Sequence, residues 1–272
     1  DGRRSLTVMT PVLMLGAGRM GGALVAGWRR SGAFAPSDLI IRDPHPGAEA
    51  IAAADAGARL NPPDAALAEA PTVLLAVKPQ IWREVAAEVA GKLAPDAVIV
   101  SIAAGVKSAD IASAFGGRRV ARIMPTTAAA IGQGTASLFA ADAEARARAQ
   151  ALFAPVGAVV ALPDEELMHA APAVSGSAPA YLYAFVEALE AAGVAAGLTA
   201  EASAELVRST MAGAAALMAQ SPDAPPELRR QVTSPGGTTQ AALDVLMGEQ
   251  GLAQLLRHAV AAAARRSKEL GG

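Results

Sequence analysis

At 272 residues, with 53% hydrophobic and 18% charged side chains, the chain can bury about two domain cores and is too apolar to be disordered. Lys+Arg 23 against Asp+Glu 25 leaves a formal net charge of −2, which argues against a nucleic-acid or anionic-membrane partner. With no cysteine, disulfide frameworks, thiolate catalysis and Cys-ligated zinc are excluded; His45, His169 and His258 share no ligand spacing, so no metal is expected.

Residues 1–8 carry Arg3 and Arg4 but no long apolar run, and read as an extension before Met9 rather than a targeting segment. Val12–Leu15 is a short apolar run ending in glycines, followed by helical character over Gly21–Arg30. Leu39–Ile41, Val73–Val77, Val98–Ile102 and Val120–Met124 are further apolar, β-branched runs, with Ala-rich segments such as Ala48–Ala56 and Ile81–Lys92 between them. Continuous apolar strands alternating with helices predict a parallel sheet covered on both faces. After Leu162 the strand signal ends. Pro179–Ala196, Thr199–Gln220, Thr238–Leu246 and Leu252–Leu270 read as helices, with Thr199 as an N-cap and Glu201 in the first turn. Alanine makes up about a quarter of the chain, which favours closely packed helices. The uncharged stretches Ile123–Ala141 and Leu167–Val186 are broken by Pro, Gly, Ser or Thr and are not expected to cross a membrane. The expected architecture is a doubly wound α/β domain, 9–162, followed by an all-helical domain, 163–272, in a cytoplasmic protein.

Gly16-Ala17-Gly18-Arg19-Met20-Gly21 matches G-x-G-x-x-G between the first strand and the first helix. Gly16 permits the tight turn, Gly18 lets backbone approach a pyrophosphate, and Gly21 allows helix and strand to touch. The motif draws its force from that position, since glycine is common in this chain. The acidic partner is expected at the end of the second strand, and Asp43 stands there. Its carboxylate would favour NAD by accepting from a ribose 2′-OH, whereas Arg42 and His45 would favour NADP by meeting a phosphate; an Asp43-Pro44 turn without ligand is the third reading. Val77-Lys78-Pro79 closes another strand at the same edge, and Ser101–Gly105 and Arg122–Thr127 close two more.

In the helical half, Val174–Tyr181 and Thr233–Thr239 each place glycine and hydroxyls directly before a helix. Such helix starts can bind a carboxylate, or can simply be capped helices. Taken in order, GAGRMG (Gly16–Gly21), AVKP (Ala76–Pro79), SIAAGV (Ser101–Val106), RIMP (Arg122–Pro125), SGSAPAY (Ser175–Tyr181) and SPGGTT (Ser234–Thr239) make the chain resemble the pyrroline-5-carboxylate reductase family from about Val12 to Leu270.

The resemblance implies a Rossmann-like domain plus a helical dimerisation domain. The activity it implies is NADPH- or NADH-dependent reduction of L-1-pyrroline-5-carboxylate to L-proline. A homodimer is expected, with a decamer as the larger assembly, and no nucleic-acid or membrane partner. It assigns the cofactor to Leu15, Gly16, Ala17, Gly18, Arg19, Met20, Arg42, Asp43, Asp64, Val77, Lys78, Pro79, Ala103, Ala104 and Gln231. Ser234, Gly236, Gly237, Thr238, Thr239 and Ser177 are assigned to substrate, with Thr239 as the catalytic residue bonding the ring nitrogen. The chain departs from the family at Thr126, Asp64 and Gln231, where an Asn is frequent. Two alternatives stand beside this reading. One is a different NAD(P)-dependent imine or β-hydroxyacid reductase, against which the lysine-free segment Ser177–Ala196 counts. The other is a non-catalytic nucleotide-binding assembly protein, against which the intact SPGGTT loop counts.

Overall fold

The computed structural model describes residues 7–271, so most of the expected N-terminal extension lies outside the described residues. The chain divides into two compact units, one running up to Gly176 and including the residues from Ala263 onward, the other Ser177–Ala262.

The first unit is built in the order β1 (Val12–Leu15), α1 (Arg19–Ser31), β2 (Leu39–Arg42), α2 (Ala48–Asp55), β3 (Arg59–Leu60), β4 (Thr72–Leu75), α3 (Trp82–Val89), β5 (Val98–Ser101), α4 (Ser108–Ala114), β6 (Val120–Pro125), β7 (Gly134–Phe139), α5 (Ala143–Phe153), β8 (Gly157–Ala161) and α6 (Leu167–Val174). The eight strands form one sheet in the order β3-β2-β1-β4-β5-β6-β7-β8. Chain order therefore reverses beside β1, and Leu15 at its end is in register with Arg42 of β2 and Leu75 of β4. A crevice at that switch point is where doubly wound sheets bind ligands.

Strand residues alternate between two cores, which explains why these strands are apolar throughout. Val12, Met14, Ile41 and Leu74 face one cluster, and Leu13, Leu15, Ile40, Val73 and Leu75 face the other. Trp28 anchors the first cluster from α1, its indole N–H donating to the Leu152 carbonyl at 2.9 Å. At Gly27 a side chain would collide with the Ala129 carbonyl oxygen, so α1 approaches the chain after β6 through a bare backbone.

Two expectations are corrected here. The sheet is not wholly parallel, because β6 and β7 run antiparallel across a short turn that ends at Gly132 with φ 73°. Strands β3, β7 and β8 were not expected. The first is only two residues long, β7 (GTASLF) consists mainly of small and hydroxyl-bearing residues, and β8 is a half-exposed edge. Helices α4, α5 and α6 also went unexpected; α5 starts on Asp142, whose carboxylate accepts from the Ala145 N–H at 2.8 Å.

The second unit holds α7 (Ala178–Ala195), α8 (Ala200–Gln220), α9 (Pro225–Gln231), α10 (Thr238–Leu246) and the start of α11 (Leu252–Gly271). Thr199 caps α8 as expected, accepting from the Ala202 N–H at 3.2 Å. A side chain at Gly193 would collide with the Ser203 hydroxyl, which donates to the Glu190 carbonyl at 2.8 Å; glycine lets α7 and α8 cross that closely. The compact units part at Gly176/Ser177. Glu165, whose carboxylate accepts from the Ser108 N–H at 2.7 Å and pairs with buried Arg122 at 2.8 Å, fastens the entry to α6 onto the first unit. No described helix is long and apolar enough to cross a membrane.

Candidate active site

A cleft of about 800 Å³ opens at the carboxyl ends of β1, β2 and β4. Of the residues assigned to the cofactor, it gathers Leu15, Gly16, Gly18, Arg42, Asp43, Val77 and Lys78. The three glycines of the motif have separate reasons to be glycine. Gly16 has φ +86° and a Cβ there would stand 2.7 Å from Val77 Cγ1; a Cβ on Gly21 would stand 2.9 Å from the Gly16 carbonyl oxygen. Both are therefore required by the fold itself. At Gly18 a Cβ would meet nothing within 4 Å, so internal packing does not demand glycine. Its bare backbone borders the cleft and serves as N-cap of α1 without a side-chain cap, with no acidic residue in the first turn. A helix start of that kind suits a phosphate.

Asp43 is buried at the expected strand end, but its carboxylate is already engaged. One oxygen accepts from the Ala17 N–H at 2.6 Å and the other from the His45 N–H at 2.8 Å. The third reading of Asp43, as the start of the turn with Pro44, thus describes part of what it does; it also braces the glycine loop from behind. Asn61 completes the brace. Its amide oxygen accepts from the Asp43 N–H at 2.9 Å and its amide nitrogen donates to the Asp43 carbonyl at 2.7 Å. Asn61 has φ +47°, where asparagine is tolerated and branched residues are not. Sequence reasoning missed Asn61, although an Asn directly before Pro62-Pro63 was a turn signal. Glu88 of α3, also on the cleft, was missed as well and carried no motif.

Other assigned residues lie off the cleft. Asp64 bridges Lys92 at 2.8 Å and Arg42 at 3.1 Å, and these cations, the Lys92 hydrogen bond first, hold its carboxyl below the ordinary range. Arg19 and Ala17 border a neighbouring cleft of about 530 Å³ between α1 and the start of α2, together with His45 and Thr127. Met20, Pro79, Ala103 and Ala104 do not line the main cleft; the Ala103 N–H donates to the Ser101 hydroxyl at 3.2 Å, so that loop is shaped from within. Gln231 belongs to the second unit, where its amide donates to Asp223 at 2.9 Å. The Thr126 hydroxyl accepts from the Thr135 N–H at 3.0 Å and steadies the turn between β6 and β7.

In the second unit, Ser234, Gly236, Thr238 and Thr239 are exposed and Gly237 is half-buried. Gly236 takes φ +71°, turning the chain so that the Gly237 N–H donates to the Ser234 carbonyl at 3.0 Å and α10 begins. Gly237 is the N-cap of α10, with no side-chain cap and no acid in the first turn. This start therefore presents N–H groups and two threonine hydroxyls to an anion. Ser177 is the N-cap of α7, again without a side-chain cap, while Ser175 is turned back to the Ala171 carbonyl at 3.0 Å. Among the described residues, no cluster of three or more His, Asp or Glu is placed to hold a metal.

Residues 165–270 match the family described as pyrroline-5-carboxylate reductase dimerisation, and residues 11–105 match NADP oxidoreductase, coenzyme F420-dependent. Pyrroline-5-carboxylate reductase of Pseudomonas aeruginosa is 39% identical over 95% of this chain and 96% of its own. Among solved structures, the Coxiella burnetii pyrroline-5-carboxylate reductase superposes with a TM-score of 0.88 at 30% identity, over 97% of this chain and 99% of its own. The Plasmodium falciparum pyrroline carboxylate reductase, solved with NADP bound, gives 0.82 at 25% identity, over 97% and 98%.

Proposed function

Because this chain belongs to the pyrroline-5-carboxylate reductase family, we infer that it reduces L-1-pyrroline-5-carboxylate to L-proline with NADH or NADPH, the last step of proline synthesis. The observation that carries this reading is the presence, in one chain, of a glycine-lined cleft at a sheet switch point and an uncapped Gly-Gly-Thr-Thr helix start. The cleft fits a dinucleotide, since Gly18 leaves open the space a side chain would fill and no packing need accounts for it.

When bound, the reduced nicotinamide supplies a hydride for the imine carbon. The protein's part is binding and orientation. The backbone N–H groups of Ser234, Gly236 and Thr238 hold the substrate carboxylate, the turn at Gly237 setting their direction, with Ser177 assigned to the same substrate. The Thr239 hydroxyl bonds the ring nitrogen, its oxygen accepting from the N–H of the protonated imine, and holds it in place. A cyclic imine is a much better electrophile once its nitrogen is protonated, and it can arrive already protonated, so the chain need not supply a strong acid. Productive transfer needs reacting atoms about 3–3.5 Å apart, which makes positioning the larger task. The helical unit pairs two chains into a homodimer, and we place larger rings, up to a decamer, on the same dimer. A cytoplasmic enzyme with no nucleic-acid or membrane partner completes the reading.

Oxidation of NADH and of NADPH, followed with pyrroline-5-carboxylate as substrate, tests the activity directly. Thr239→Ala is expected to lower kcat/KM by a factor corresponding to roughly 1–3 kcal/mol while leaving the circular dichroism spectrum unchanged. Wild-type kcat/KM in that variant would remove Thr239 from the site.

A further inference from the structure

Arg42, Glu88, Asp64 and Lys92 form a chain of four charges, of which Arg42 and Glu88 line the main cleft. Arg42, the last residue of β2, places Nη2 3.1 Å from Asp64 Oδ1 and 3.3 Å from Glu88 Oε1, and its Nη1 donates to the Pro62 carbonyl at 3.3 Å. Asp64 is also held by Lys92 at 2.8 Å, whereas Arg42 is the one cation paired with Glu88 among the described ion pairs. The two carboxylates also differ in place, because Glu88 lines the cleft beside Arg42 and Asp64 does not. Asp43, the acid at the strand end, has both carboxylate oxygens engaged by the Ala17 and His45 N–H groups.

In a doubly wound sheet the adenosine ribose of a dinucleotide faces the end of the second strand. NADPH differs from NADH by one phosphate on that ribose, so the charges near Arg42 decide how the extra anion is received. Resting on the dinucleotide reading above, we propose that Glu88 is a specificity residue of this chain. It holds the Arg42 guanidinium as a phosphate would, and so occupies the group that would otherwise receive one. NADPH must displace Glu88 from Arg42, and NADH need not. The reach of the discriminating carboxylate therefore comes from α3 and not from Asp43.

The test is binding rather than turnover. NADH and NADPH are titrated separately into the full-length wild type, Glu88→Gln and Glu88→Ala, with dissociation constants taken from calorimetry or nucleotide fluorescence at one ionic strength. Both variants are expected to lower the ratio of the NADPH constant to the NADH constant about fivefold, the fold-change of roughly 1 kcal/mol for an exposed charge pair. In an Arg42→Gln background, Glu88→Gln is expected to change that ratio less than about twofold, because the effect runs through the guanidinium. Unchanged ratios in folded single variants, or a full effect without Arg42, would overturn the proposal. Loss of all dinucleotide binding by the wild type would instead overturn the cofactor reading, and this proposal with it.

Discussion

In β4, Thr72, Val73, Leu74 and Leu75 are all buried, while α7, more than four times as long, has no buried residue. That contrast runs through both units. The first closes two cores around its sheet, with Trp28, Phe115 and Phe153 fully enclosed. The second encloses only Ser203 and Val207 of α8, and α10 encloses nothing. Among the described residues, fifteen of the twenty-two exposed large hydrophobics lie in Ser177–Ala262, including Leu217, Val232 and Val245 at 70% exposure or more. An ordinary monomer does not leave so much apolar surface to water. The two units thus solve burial differently, one within the chain and the other with a second copy, as the matched dimerisation region requires.

Substitutions should separate the two solutions. Trp28→Ala removes the anchor of the first core and its bond to Leu152, and is expected to cost about 3–5 kcal/mol. The drop in Tm should not depend on protein concentration if dimer dissociation is uncoupled from unfolding of this unit; a concentration-dependent loss would mean that the first unit leans on its partner. Val245→Asp alters a side chain that is 77% exposed in the single chain, where a surface change normally stays within about 0.5 kcal/mol. Here it is expected to weaken dimerisation at least tenfold by sedimentation, with the first unit's melting unchanged. A variant that still assembles with wild-type affinity would put the interface on another face of the helices.

The smallest effect concerns acid. Burial first, then the charge of Arg122, pushes the His169 imidazole below its ordinary pKa near 6.5, and the ring lies 3.1 Å from the Ser267 hydroxyl. A folded form that resists the proton is stabilised above pH 6.5 and loses that advantage as pH falls below it, since the unfolded chain takes up the proton first. His169→Gln should therefore flatten the fall of Tm just below pH 6.5. Glu165 acts lower. Burial raises its carboxyl pKa, but the Ser108 N–H and Arg122 outweigh burial and hold it below 4.5, so its contribution fades as pH falls beneath that value. Equal slopes in wild type and His169→Gln between pH 6.5 and 5 would show that His169 carries no such load.

Much of this division could be read in the chain beforehand, and what could not has physical causes. Strands β1, β2, β4, β5 and β6 announce themselves because burial on both faces writes an unbroken apolar run. Strand β7 hides because Gly134, Thr135, Ala136 and Ser137 carry little hydrophobic signal and take their place by pairing with β6 and β8. The glycine loop was legible as a motif, yet the motif could not reveal that Gly18 alone is free of packing reasons. Asp43 was placed correctly along the chain, but which atoms its carboxylate would meet depended on a loop 18 residues away at Asn61. Glu88 offered even less, being one of two acids on an ordinary amphipathic helix. Its significance comes from the sheet bringing α3 beside the end of β2.

The clasp between Asp43 and Asn61 has a thermodynamic corollary. Four hydrogen bonds of 2.6–2.9 Å hold the turn after β2 and the glycine loop in register before any ligand arrives. Ordering a loop on binding consumes affinity, and a loop ordered beforehand spares that loss. The backbone of the glycine loop therefore behaves as a stiff socket, whose conformational entropy was surrendered during folding. Nucleotide association at this end of the sheet should then proceed without a slow rearrangement.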